Sequence, residues 1–302
     1  DICMPPLPET LYFDAGKRVD SDEVFVTFGL VDDPDHQSQM THKLNITAMN
    51  YMLIGSTQTG KTNFLQTAIR SLTEHYSPDE VNIYIVDFAS MILKNFENLN
   101  HVGGVVLSHE DEKVKNLFRL LSNEIDLRKS RLAEVGVSAA RIGRSLGVHL
   151  ILATQKPSGV VDAQIWSNSK FKLCLKVQSK EDSNEVIKTP LAAEIKEPGR
   201  AYLQVGNNEI FELFQSAYSG APATVDASEV EKEFVISKVG FTGNRKPIYV
   251  RKKRKQKINV QNQLDAIVAY IHDYCNKEGI KKLADICMPP LPETLYFDAG
   301  KR

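Results

Sequence analysis

Residues 50–62 read NYMLIGSTQTGKT, a short apolar run that breaks into a loop with two glycines. Gly55 to Thr62 fits the spacing G-x-x-x-x-G-K-[ST]. A predicted strand precedes the loop and a predicted helix follows it, the context in which this spacing cradles phosphates. The residue types have physical reasons. Gly55 and Gly60 let the backbone wrap closely around phosphate oxygens. The N–H groups of Ser56, Thr57, Gln58 and Thr59, with the helix N-terminus, supply partial positive charge. The Lys61 ammonium reaches the β- and γ-phosphates and is a candidate catalytic group. The Thr62 hydroxyl is a candidate Mg²⁺ ligand. ATP with Mg²⁺ is the expected ligand.

Working outward, Thr62 to Glu74 carries Phe64, Leu65, Ala68, Ile69 and Leu72 at helical spacing. Strands are expected at 24–30 (VFVTFGL), 81–87 (VNIYIVD), 148–153, 172–177 and 201–205. Helices are expected at 111–134, 138–146 and 263–276. Strand and helix alternate, and the strands are near-continuous apolar runs. That pattern predicts an α/β fold, a mostly parallel sheet flanked by helices. The alternation fails once. A helix ending near Gly136 meets one starting at Ser138. Either two helices abut there, or a strand and its neighbours are missing.

Mg²⁺ needs an acidic partner at a neighbouring strand end. Asp87 ends VNIYIVD and is the candidate; the alternative is that it touches nucleotide or neighbours only indirectly. No apolar run ends in Asp-Glu, and VVLSHED (105–111) is too short and too close to the next helix. Nothing obvious therefore polarises an attacking water. Gln155 follows the strand HLILATQ, and strand ends line the ligand crevice of open α/β sheets. It is a candidate to sense the γ-phosphate or orient water, beside the plainer reading of a polar strand end. Arg141 and Arg144 are candidate arginine fingers for a neighbour's site, with solvated helix charges as the alternative. His149 reads as a packed histidine and Trp166 as a packing or interface anchor. The basic run from Arg251 to Lys257 reads as a solvated linker before it reads as a phosphate or membrane contact.

Composition narrows the classes. The chain has 302 residues, 42% hydrophobic and 25% charged, with 37 basic against 38 acidic residues. This excludes collagen, low-complexity chains and disulfide mini-proteins, and disfavours a globally basic nucleic-acid binder. The length suggests about two domains. No apolar stretch reaches the roughly 18 residues of a membrane span. Cys3, Cys174, Cys275 and Cys287 form no metal-binding spacing and suit a reducing compartment. The chain opens at Asp1 with no signal peptide and reads as a fragment or processed form. Asp1 to Arg18 reads DICMPPLPETLYFDAGKR, and Asp285 to Arg302 repeats it letter for letter. Diverged repeats do not keep such identity, so the expectation is one Pro-rich, extended linker written at both ends of an assembled or permuted chain, with a real tandem module as the alternative.

Four segments carry a family resemblance: Gly55–Arg70, Val86–Gly104, Ala140–Ile187 and Pro198–Gly220. The chain resembles the FtsK/SpoIIIE family of hexameric translocating ATPases, and within it the membrane-bound type VII secretion ATPases of the EssC/YukB kind. The resemblance implies a RecA-like P-loop fold, ATP at Gly55–Thr62, and Gln155 facing the γ-phosphate of its own module. It implies a homo-hexamer at the cytoplasmic face of the bacterial cell membrane, acting on WXG100-type secreted proteins beside other ATPase modules of the same chain.

It also implies an unusual order. Residues 19–136 resemble the N-terminal half of the third module. Residues 137–250 resemble the C-terminal half of the second, followed by a basic linker, a helix and the repeated segment over 251–302. Residues 1–18 resemble the linker between those modules. The break near Val137 then drops the strand that would carry the family's acidic residues. The expected function is an ATP-binding module that powers or gates protein export. The alternatives are a weakly hydrolysing nucleotide- and substrate-binding regulatory module and a DNA translocase. Near-zero net charge and the lack of a DNA-reading winged-helix segment disfavour the last.

Overall fold

All four residues of Tyr51–Ile54 are buried. A strand that is apolar on both faces needs helices above and below it and a neighbour on each edge. The computed structural model supplies both. It describes residues 5–47, 50–134, 146–156, 161–206, 209–223, 234–239, 245–251 and 262–287.

The strands are β1 (Leu11–Tyr12), β2 (Phe25–Asp33), β3 (Ser38–Asn45), β4 (Tyr51–Ile54), β5 (Ile83–Asp87), β6 (Val102–Leu107), β7 (Ile151–Thr154), β8 (Phe171–Leu175), β9 (Arg200–Val205), β10 (Ile210–Tyr218), β11 (Phe234–Val239) and β12 (Arg245–Arg251). The helices are α1 (Lys61–His75), α2 (Asp111–Glu134), α3 (Ala163–Asn168), α4 (Lys180–Ile187), α5 (Leu191–Glu194) and α6 (Gln263–Lys277), with a 3-10 turn at Ile92–Phe96.

The main sheet runs β3-β2-β10-β9-β8-β4-β7, with β1 paired to β10. β4 lies parallel to both β7 and β8. The sheet is mixed, and in it the expected mostly parallel character is confined to β7-β4-β8. From β8 outward to β3 each neighbour is antiparallel. Connection length accounts for two of these pairings: β2–β3 and β9–β10 are joined by a few residues, and short turns return a strand antiparallel, whereas a parallel neighbour needs a long crossover.

Both predicted halves contribute to this one sheet and to one core. Val26, Phe28, Tyr51, Leu53 and Phe64 pack with Leu173, Leu175, Leu203 and Phe214. At its centre Phe28 meets Phe214 edge-on at 4.8 Å and lies 5.5 Å from Phe64. Residues 5–18, read from sequence as a linker, lie against this body, with Leu7 and Phe13 buried.

The break in alternation near Val137 lies outside the described residues. Among the described residues, β7 is the last strand of the main sheet, while β5 and β6 pair only with each other. The β5–β6 pair is covered by Ile69 of α1, the 3-10 turn and Leu264, Val268 and Ile271 of α6. α2 matches its predicted range, yet Leu117 is its one buried residue, and Phe118 is 63% exposed. The predicted helix 138–146 lies almost wholly outside the described residues.

Phe214→Ala is expected to lower unfolding stability by about 3–5 kcal/mol, the usual cost of deleting a buried aromatic. Phe118→Ala should stay within about 0.5 kcal/mol. Urea denaturation followed by circular dichroism reads both.

Candidate nucleotide-binding site

The loop after β4 is shaped by its neighbours as much as by its own residues. The sheet ladders continue past the strand ends into it. The Gly55 N–H donates to the Thr154 carbonyl at 3.2 Å, and the Ser56 N–H to the Lys176 carbonyl at 2.8 Å. Further along, the Gly199 N–H donates to the Thr59 carbonyl at 2.9 Å. Within the loop, the Thr59 hydroxyl donates to the Ser56 carbonyl at 2.9 Å. Gln58 and Gly60 take left-handed backbone conformations, with φ of 62° and 111°.

Both glycines are needed for close approach. A Cβ on Gly55 would sit 2.7 Å from Thr59 Oγ1 and 2.9 Å from Leu175 Cβ. On Gly60 it would meet the Gly199 backbone at 3.1–3.2 Å, in a conformation that β-carbons disfavour.

Lys61 opens α1 and folds back over the loop. Its Nζ donates to the Gly55 carbonyl at 2.5 Å and the Ser56 carbonyl at 2.6 Å. Burial lowers its pKa from the ordinary lysine value, so its charge is held at a cost that an anion would offset. The first turn of α1 carries no acidic residue and its N-terminus has no side-chain cap. Thr62 is half-buried in that turn. A wrapped backbone, a cation directed at it and an uncapped helix N-terminus are what a phosphate chain requires, so these residues fit ATP.

Gln155 lies just past β7. Since Ile54 pairs with Thr154, its exposed side chain belongs to the strand end that borders Gly55. Asp87 ends β5, in the separate sheet, and is buried. Its carboxylate accepts from the backbone N–H of Ser90 at 2.9 Å, Ala89 at 3.1 Å and Leu93 at 3.3 Å, and from the Ser90 hydroxyl. Burial pushes its pKa up, but the bonds from Ser90, Ala89 and Leu93 outweigh this and hold it below the usual carboxylate range. Its bonds in the structure hold its own loop. Among the described residues, no group of three or more His, Cys, Asp and Glu side chains could hold a metal ion.

Arg141 and Arg144 lie outside the described residues, as does the basic run beyond Arg251. His149 is half-buried, its pKa lowered by burial and by Arg128. Trp166 packs against the core around Met52, with the Lys172 ammonium 4.4 Å over its ring.

Sequence reasoning missed the support from Lys176 and Gly199. Gly199 is held by its flanks. The Arg200 Nε donates to Gln215 Oε1 at 2.8 Å, and Gln215 Nε2 donates to the Pro198 carbonyl at 3.0 Å. The Pro-Gly pair at 198–199 marks a turn in the sequence, but not which loop it touches.

Residues 15–141 match the FtsK/SpoIIIE family. The chain carries an FtsK/SpoIIIE-family domain. It is 37% identical over 295 residues to the type VII secretion system protein EssC of Staphylococcus aureus, a match covering 81% of this chain and 20% of EssC. The chain thus spans about a fifth of the length of the curated relatives it matches. The 295 aligned positions exceed what 81% of this chain can fill, so the match passes stretches of EssC with no counterpart here.

The fold is similar to that of EssC (ATPases 2 and 3) from Geobacillus thermodenitrificans, with a TM-score of 0.69 and 18% identity over 95% of this chain and 55% of that one. It is also similar to the pCW3 conjugation coupling protein TcpA, solved with ATPγS, at a TM-score of 0.56 and 19% identity over 70% of this chain and 71% of that one. The fold class is thus the mixed α/β P-loop ATPase fold. Among the described residues no helix is long and apolar enough to cross a membrane.

Asp87→Asn tests the loop-holding role. A carboxylate whose folded pKa is depressed adds stability above its unfolded pKa, and loses it as pH falls through the folded value. The variant should be less stable than the parent at pH 7, with the gap closing as acid protonates Asp87. A gap that is the same at pH 7 and below the carboxylate range rules the role out.

Proposed function

We propose that this chain is an ATP-binding module of a type VII secretion ATPase. One observation carries the reading: Lys61 and the loop backbone converge on one small volume at an uncapped helix N-terminus, braced by β7, β8 and Gly199. The similarity to EssC and the nucleotide analogue bound by TcpA support it. In this reading the loop N–H groups bind and orient the phosphates. Lys61 releases its two carbonyls and turns to the β- and γ-phosphates. The Thr62 hydroxyl would hold Mg²⁺, which would supply charge neutralisation at the phosphates. Gln155 positions water or senses the γ-phosphate from the end of β7. In the full protein the module powers or gates export of WXG100-type proteins at the cytoplasmic membrane face, as part of a hexamer beside other modules, with Arg141 and Arg144 offered to a neighbouring site.

A second reading has its own observation. Asp87 spends its carboxylate on its own loop, and among the described residues β7 is the last strand of the sheet. This favours a module that binds ATP and hydrolyses it slowly, regulating partner modules.

Fluorescent-ATP binding and steady-state phosphate release separate the two. Binding is expected in the parent chain and at least about tenfold weaker in Lys61→Ala, since it deletes a charge-assisted contact. Absence of binding in the parent overturns both readings. Turnover that falls in Gln155→Ala with binding retained supports the motor; binding without turnover supports the regulator.

A further inference from the structure

The repeated 18-residue segment is not absorbed by any of this. Its first copy has a built seat. Arg200 Nη2 donates to the Leu7 and Pro8 carbonyls at 3.0 and 3.2 Å. β1 runs parallel to the end of β10, Leu11 against Ala217 and Tyr12 against Tyr218, and the Phe13 N–H donates to the Tyr218 carbonyl at 3.1 Å. The Phe13 side chain is 6% exposed, under the Arg70 guanidinium at 4.5 Å. Thr27 Oγ1 donates to the Ala15 carbonyl at 3.3 Å, and Arg18 makes a two-toothed pair with Glu80 at 2.6 and 3.2 Å. The seat draws on both halves of the chain and recognises backbone and side chains along most of the segment.

Every one of these groups recurs in the second copy: Leu291 for Leu7, Leu295 and Tyr296 for β1, Phe297 for Phe13 and Arg302 for Arg18. The chain therefore has two ligands of identical chemistry and, among the described residues, one seat. The second copy starts elsewhere on the surface. The Ile286 N–H donates to the Gly103 carbonyl at 3.0 Å, beside β6, and Lys282 pairs with Asp285.

We infer that the seat on β10 and α1 is also a docking site for Asp285–Arg302 of a second copy of this chain. Within one chain the first copy holds the advantage. Only six residues separate Arg18 from β2, and a short tether gives an effective concentration on the order of millimolar. The second copy must compete against that, so association of the parent chain is weak and rises with concentration. Once the first copy is weakened, the second copy of the next molecule fills the seat, and head-to-tail contacts of this kind build rings or open chains.

The test uses full-length chains in reducing buffer. The probe is a fluorescently labelled peptide, DICMPPLPETLYFDAGKR. It should bind Phe13→Asp at least about tenfold more tightly than the parent, whose tethered copy competes. Light scattering on a sizing column should show Phe13→Asp associating as concentration rises, and the double variant Phe13→Asp, Phe297→Asp returning to monomer. Leu7→Asp paired with Leu291→Asp repeats the design if Phe13→Asp fails to fold. Three outcomes overturn the inference. One is a peptide that binds none of the chains. Another is association that survives Phe297→Asp. The third is a Phe13→Asp chain that stays monomeric while its own second copy blocks the peptide.

Discussion

The parallel pairing of β4 on both edges is the constraint on which the site depends. It buries four consecutive apolar residues, and it also aims the sheet's hydrogen bonds into the loop. Gly55 and Ser56 are held by the carbonyls that continue β7 and β8. Asn63 and Thr67 then pin α1 through bonds to the Ala217 carbonyl on β10. All of these anchors belong to the part of the chain after residue 136. Residues 19–136 contain the whole phosphate-loop signature, but the site is assembled only with the rest of the sheet.

Much of this was legible in the sequence. The phosphate loop, β4 and α1 are encoded by local spacing, and local spacing survives without knowledge of the fold. Gln155 could be singled out because it follows β7, whose Thr154 pairs with Ile54, and strand ends share one side of a parallel sheet. The antiparallel extension was less legible, since it rests on pairings such as β10 with β2 between residues far apart in the chain. It also buries polar groups, among them Gln204 and Gln215, which blur the apolar pattern. Lys176 and Gly199 were invisible for a different reason. They act through backbone atoms, which every residue has. Asp87 was ambiguous because a strand-ending aspartate looks the same whether it faces a metal or caps the turn that follows.

The divided sheet shows how a fold tolerates an interrupted alternation. Among the described residues β5 and β6 have no further strand beside them, and their burial comes from helices and the 3-10 turn. α6 is tied in by side chains. Its Asn262 cap accepts from Leu264, Arg70 donates to Gln263, and Asn100 donates to the Ile280 carbonyl just beyond its end. Arg70 is a shared strut, since the same guanidinium covers Phe13. The terminal helix, the linker segment and α1 thus meet at one side chain.

The two carbonyls gripped by Lys61 bear on what any measured affinity would mean. The two carbonyl oxygens occupy the ammonium where an anionic acceptor would otherwise sit, and the lysine holds the loop in its curled form through them. An arriving phosphate chain trades those bonds for its own, so the loop need not be ordered from scratch. An affinity measured at this site is then a difference between two charge-assisted arrangements, the lysine on its two carbonyls and the lysine on the ligand.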